Sequence, residues 1–165
     1  MERPNGSSPR IGMATDASGP PIYWDASAVL STLVADAHSR VATALLRRSA
    51  PKLLSTLALA EALAVLRRLE LAGEIRPDDR RRAAASLLAS PWLRYEGQPR
   101  RQLLADLATR TALRGADLWH LAAALTAREA LPELRLFTFD RALAAAAEAE
   151  GLPTRSPGAP RRTSL

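Results

Sequence analysis

The sequence contains no cysteine, which excludes a disulfide framework, a thiolate zinc site and a thiol nucleophile together. It has almost no lysine: of 23 basic residues, only Lys52 is not an arginine. No apolar run approaches the roughly 20 residues needed to span a bilayer. Residues 1–20 hold no continuous hydrophobic segment of the signal-peptide kind. These absences point to a soluble protein of the cytoplasm. No internal repeat is visible, and 165 residues suffice for one domain that buries a core without staples.

Alanine and leucine dominate, which favours helix. The net charge is +6 and the sequence pI is near 11.1. Such a balance favours a polyanionic partner, because each neutralised phosphate releases counterions. Enrichment in Ala, Arg, Gly and Pro is equally the product of a GC-rich genome, so charge alone leaves both readings open.

Residues 1–20, "MERPNGSSPRIGMATDASGP", lack periodic apolar spacing and read as a disordered leader, with Met13 as an alternative start. Residues 156–165 read as a flexible tail. Between them, residues 21–155 alternate short apolar runs with helical patterns. "PIYWD" (21–25), "KLLST" (52–56), "WLRYE" (92–96) and "RLFTF" (135–139) read as strands, with one more short strand near Pro153 to Arg155. Helical spacing covers "SAVLSTLV", "HSRVATALLRR" and "LALAEALAVLRRLELAGE", the last ending near Gly73. A further helix opens at Pro77, and others span roughly 99–113, 117–130 and 140–150. Strands separated by helical crossovers imply an α/β fold, a mostly parallel sheet with helices on both faces.

Four acids fall at suggestive places in that pattern. Asp25 ends the first strand and Asp140 the fourth. Glu61 lies in the first turns of the helix after the second strand, and Asp117 begins the helix "DLWHLAAALTA". In a parallel sheet such strand ends, and the helix starts that follow them, share one edge, where open α/β sheets bind ligands. Topology therefore places Asp25, Glu61 and Asp140 on one rim, while Asp117 joins them if its preceding helix runs back to it. Two unit charges about 4 Å apart interact by about 4 kcal/mol at an effective dielectric near 20. A cluster of this kind calls for a cation or for protons. An all-oxygen acidic set suits Mg²⁺ or Mn²⁺, which can polarise a phosphodiester and activate water. The chemistry implied is metal-assisted phosphodiester hydrolysis. Structural roles stay open beside this one: Asp117 and Asp140 as helix N-caps, and Asp25 as a turn former. Glu61, between "LALA" and "ALAVL", is an acid among apolar residues, seldom buried unless paired.

The segments "YWDASAVL", "STLALAEALAVLRR", "GADLWHLAAAL" and "LFTFDRALAAAAEAEGL" occur in the order and approximate spacing of a PIN-domain ribonuclease. The chain resembles the VapC-type toxins of bacterial toxin–antitoxin pairs in particular, over about residues 22–155. The resemblance implies a three-layer α/β/α fold with a five-stranded, mostly parallel sheet and a Mg²⁺- or Mn²⁺-dependent endoribonuclease site. The family's acidic quartet maps onto Asp25, Glu61, Asp117 and Asp140 as catalytic and metal-holding residues. Ser27 and Thr138 match its supporting hydroxyls; a helix-cap serine and an ordinary strand threonine are the plainer readings. The resemblance also implies an RNA substrate (tRNA or rRNA), a cognate antitoxin and a homodimer. The antitoxin would lie as a helix or an extended chain against the apolar early helices. Leu118 departs from the small residue usual after the third acid, and the long leader is unusual.

Two rival functions remain beside the toxin: a PIN nuclease of RNA processing, and a non-catalytic binding module that keeps the fold. A phosphoacceptor receiver domain also carries acids on such a rim, but its expected lysine is missing there, since Lys52 starts a strand at the opposite end. His120 reads as a packed, hydrogen-bonded histidine rather than a general acid or base, and His38 as exposed and without a role. "DDRRR" (78–82), Arg47-Arg48, Arg67-Arg68 and Arg100-Arg101 offer RNA phosphates bidentate partners, or form a solvated face. Trp24, Trp92 and Trp119 offer base-stacking surfaces, though their apolar neighbours favour packing.

Overall fold

The structure, a computed structural model, describes residues 19–155. The alternative start at Met13, the tail at 156–165 and all but the last two residues of the expected leader lie outside the described residues. The chain runs β1 (Ile22–Trp24), α1 (Ala26–Leu33), α2 (Ser39–Leu46), β2 (Lys52–Ser55), α3 (Thr56–Leu71) and α4 (Pro77–Ala89). It continues through β3 (Leu93–Tyr95), α5 (Arg101–Arg110), α6 (Gly115–Arg128), β4 (Arg135–Phe137), α7 (Arg141–Ala149) and β5 (Thr154–Arg155). β1 and β2 are buried throughout and β4 nearly so, while the edge strands β3 and β5 are partly exposed; at or just after the end of β1, β2 and β4 stands a polar residue that caps the next helix. Asp25, Ser55 and Asp140 are the N-caps of α1, α3 and α7, each accepting from a backbone N–H three residues on. Gly73 (φ 75°) closes α3 and Gly151 (φ 72°) closes α7, both in the left-handed region where a side chain would be strained.

The sheet order is β3-β2-β1-β4-β5, and every pairing is parallel. Alternate strand residues point to opposite faces, and the core is divided accordingly. Tyr23, Leu53 and Leu136 pack with Leu107, Leu121 and Leu143 from α5 to α7. Ile22, Trp24, Leu54 and Phe137 pack on the other side with Val29, Leu45, Ala58 and Leu87 from α1 to α4. The result is the expected three-layer α/β/α arrangement. Starting from β1, the chain builds outward through β2 to β3, then crosses to the other side of β1 for β4 and β5. The order therefore reverses between β1 and β4, where open sheets leave a crevice beyond the carboxyl ends of the strands.

One expected boundary moves in a way that matters. α5 stops at Arg110: Thr111 is extended (φ −128°, ψ 151°), and both its N–H and its hydroxyl bond the Leu107 carbonyl that closes the helix. α6 then begins at Gly115 with Arg114 at its N-cap. Asp117 thus lies within the first turn and is not the cap. Lys52 does open β2, buried, with its Nζ donating to the Arg48 and Ala50 carbonyls at 2.7 and 3.0 Å.

Candidate active site

The crevice between β1 and β4 is built around Asp25, only 4% exposed. Its Oδ1 accepts from the Ala28 N–H at 2.8 Å, which caps α1. The Ser27 hydroxyl bonds both carboxylate oxygens at 2.8 and 2.9 Å, and the Thr138 hydroxyl donates to Oδ2 at 2.7 Å. Burial pushes the Asp25 carboxyl above its ordinary value, while the bonds from Ala28, Thr138 and Ser27 pull it back down in part. Thr138 also accepts from the Asp140 N–H at 2.9 Å, and Ser27 from the Phe139 N–H at 2.9 Å. The two hydroxyls therefore tie the end of β1 to the end of β4, so that Asp25 and Asp140 share one framework. Asp140 caps α7 through one oxygen, accepting from the Leu143 N–H at 2.8 Å.

Asp117 faces this framework from α6, half-buried. Its carboxyl is pushed above the ordinary range, first by burial and then by the charge of Asp140; Glu61 adds to the push, while His120 and Arg114 oppose it. Glu61 approaches from α3, its Oε2 2.7 Å from the Nε2 of His120. Asp25 and Asp140 therefore share one framework with Ser27 and Thr138 between them, and Asp117 lies near enough to Asp140 and Glu61 to feel their charges. α1, α6 and α7 all begin at this rim, so their positive ends partly offset the gathered negative charge.

Among the described residues, no group of three or more His, Cys, Asp or Glu side chains is placed to hold a metal ion. In chemical type the donors at the rim suit a divalent cation: they are all oxygens, and burial and then the charges of Asp140 and Glu61 hold up the Asp117 carboxyl. A hard cation that keeps several of its waters suits such a set. A shallow cleft of about 500 Å³, lined by Thr56, Leu57, Gln98, Gly115, Ala116 and Trp119, opens beside Asp117.

His120 is the packed, hydrogen-bonded histidine expected, 2% exposed, but its partners were not foreseen. They are Glu61 and, through Nδ1 at 3.1 Å, the Tyr23 hydroxyl. No local pattern signals a bond spanning 59 residues. His38 is exposed as expected, yet its ring lies flat on Phe139, with centroids 4.2 Å apart and planes 11° apart, next to Asp140. Trp24 is fully buried, with Trp92 edge-on to it at 5.3 Å, and Trp119 packs partly buried against the core; packing explains all three. Arg81 and Arg82 pair with Asp78 and Asp79 on their own helix, and Arg67 with Glu70. Ion pairs of this kind on an exposed helix face add little stability.

The PIN domain family model matches residues 22–149. Comparison with curated proteins finds no match. Among solved structures, FitAcB from Neisseria gonorrhoeae is similar with a TM-score of 0.56 at 18% identity, over 82% of this chain and 97% of that one. PAE2754 from Pyrobaculum aerophilum gives a TM-score of 0.56 at 21% identity, over 84% and 91%. VapC20 from Mycobacterium tuberculosis, a sarcin–ricin loop cleaving toxin, gives 0.51 at 20%, over 76% and 94%. At these identities the likeness is one of fold.

Proposed function

The chain belongs to the PIN domain family, whose members are generally metal-dependent nucleases, and from that premise we propose that it is a Mg²⁺- or Mn²⁺-dependent endoribonuclease of the VapC toxin type, silenced by a cognate antitoxin. The observation that carries the reading is the charge gathered at the β1–β4 switch point, where the Asp117 carboxyl is held up by burial and by Asp140 and Glu61. A bound Mg²⁺ or Mn²⁺ supplies polarisation of a phosphodiester and activation of water. Asp25, Glu61, Asp117 and Asp140 are the residues that would hold it. Ser27 and Thr138 keep Asp25 fixed by occupying its inner oxygen positions. The activity of VapC20 on the sarcin–ricin loop supports RNA as the substrate class, with tRNA or rRNA as the target.

The antitoxin reading is supported by a cleft of about 520 Å³ between the end of α1 and the α3–α4 turn, where Leu33, Val34, Ile75 and Ala83 stand beside the charged Glu74, Arg76 and Asp79. Exposed Val41 and Leu71 add apolar surface on α2 and α3. A homodimer belongs to the same reading, and a light-scattering mass near twice 17.8 kDa is the expected result; a single-chain mass at micromolar concentration counts against it.

The test of the activity compares wild type with Asp117→Asn on tRNA and rRNA, with Mn²⁺, Mg²⁺ or EDTA. Asp117 caps nothing, so the substitution removes charge and spares the helix start. Cleavage should require the metal and fall by more than the ~10–100-fold typical of an outer-shell partner. In cells, wild type should arrest growth and Asp117→Asn should not. Equal cleavage by both proteins would remove Asp117 from the site. No metal-dependent cleavage of any RNA class would shift the reading to the binding module that keeps the fold.

A further inference from the structure

We propose that His120 is a positioning residue: anchored by Tyr23, it orients Glu61 toward the cation that the acidic rim would hold. The inference rests on the metal-dependent reading of that rim and extends it to a residue outside the acidic quartet.

The chain of contacts lies beside the N-cap of α3. Ser55 Oγ accepts from the Ala58 N–H at 3.1 Å and lies close enough to Tyr23 to oppose the rise of its phenol that burial causes. The Tyr23 hydroxyl lies 3.1 Å from His120 Nδ1, and His120 Nε2 lies 2.7 Å from Glu61 Oε2. Ser55 and Tyr23 are fully buried and His120 is 2% exposed. The polar relay therefore runs through protein interior, from Tyr23 on β1 through His120 on α6 to Glu61 on α3.

Its polarity follows from the groups. A carboxylate only accepts, so Nε2 is the donor toward Glu61, and the phenolic O–H of Tyr23 is the matching donor for Nδ1. Tyr23 and Trp119 stand edge-on to the imidazole, with centroids at 6.0 and 5.7 Å. Rings on these sides leave His120 little freedom to turn. Glu61 differs: its side chain is 32% exposed, and without a partner it would sample several rotamers in water. The bond from His120 engages Oε2 and leaves Oε1 to face a cation or its water. Ligating carboxylates are commonly held in this way, and their outer partners tune affinity. His120 follows Asp117 by three residues on α6, so one helical turn carries an acid and also sets the direction of another from α3.

A histidine that merely fills space would affect folding alone, so the test reads metal affinity in the absence of RNA. Mn²⁺ binding to the full-length protein is measured by calorimetry for wild type, His120→Leu, His120→Gln and Tyr23→Phe, with the folded fraction checked by circular dichroism. His120→Leu should weaken the Mn²⁺ Kd by about 10–100-fold. His120→Gln, which keeps an N–H donor for Glu61, should recover most of that loss, and Tyr23→Phe should fall between. If His120→Leu does not fold, Tyr23→Phe, which keeps both rings, decides the matter. Wild-type Mn²⁺ affinity in folded His120→Leu or, failing that variant, in Tyr23→Phe would overturn the positioning role while leaving the nuclease reading intact. A wild-type protein that binds no Mn²⁺ would overturn both.

Discussion

Thr138 is fully buried, and its single hydroxyl serves two neighbours, donating to Asp25 and accepting from the backbone of Asp140. Valine has nearly the same shape and neither capacity. Thr138→Val would leave a carboxylate oxygen and a backbone N–H short of a partner in the interior, which costs about 1–3 kcal/mol and more where a charge is involved. The expected result is a lower melting temperature without metal, together with loss of cleavage. Thr138→Ser keeps the hydroxyl and should retain most activity, losing only the packing of one methyl, about 1 kcal/mol. Calorimetry with a cleavage assay checks both, and a Thr138→Val protein that melts with wild type would show that the hydroxyl carries no such burden. From sequence, Thr138 could be singled out only by family resemblance, because an inward strand threonine is otherwise ordinary. Ser27 shared that ambiguity: its bonds to the Asp25 oxygens are local, two residues apart, and what no local pattern signals is its bond from the Phe139 N–H, which exists because the ends of β1 and β4 lie side by side.

At the scale of elements, the β1–Asp25–α1 and β4–Asp140–α7 units were legible because two local signals coincide. A short apolar run ends on an acid, and helical spacing starts immediately after it. Such an acid is the natural cap of its helix, and in a parallel sheet it also falls on the ligand-binding edge. Asp140 does cap its helix. Asp117 was less legible, since its placement depends on the coil at 111–114 and on the true start of α6 at Gly115. Apolar periodicity marks neither: Thr111 closes α5 through its bonds to Leu107, and α6 starts at Gly115 with no side-chain cap. The Glu61–His120 bond was not legible. Helical spacing says which face of α3 or α6 a residue occupies, whereas the pairing of those faces follows from the crossing of two helices over the sheet edge.

For the whole molecule, the electrostatics of the rim and of the surface have opposite consequences for stability. Asp36 is lowered: partial burial opposes the shift, but bonds from Ser31, His38 and Ser39 outweigh it. Glu70 and Asp79 are lowered by Arg67 and Arg76 respectively. Their contribution is present above the ordinary carboxylate value and is lost as pH falls through their folded values. Asp25 and Asp117 are raised instead, chiefly by burial. Between the ordinary value and their folded values, the folded chain binds more protons than the unfolded one, so their linkage makes stability fall as pH rises. In EDTA the melting temperature should therefore decline from the ordinary carboxylate range upward, until both acids are ionised. On the proposed reading, a divalent cation would bind the folded, ionised rim and not the unfolded chain. At a hundred times its Kd it stabilises by about 2.7 kcal/mol, worth roughly 5–10 °C in a chain of this size. Because protons and the cation compete for the same carboxylates, the gain from Mn²⁺ should grow as pH rises through that window and then level off. A melting temperature unmoved by Mn²⁺ at every pH would argue against a cation at the rim. A gain of constant size from pH 4 to 8 would instead place the ion elsewhere, on groups whose ionisation does not change over that range.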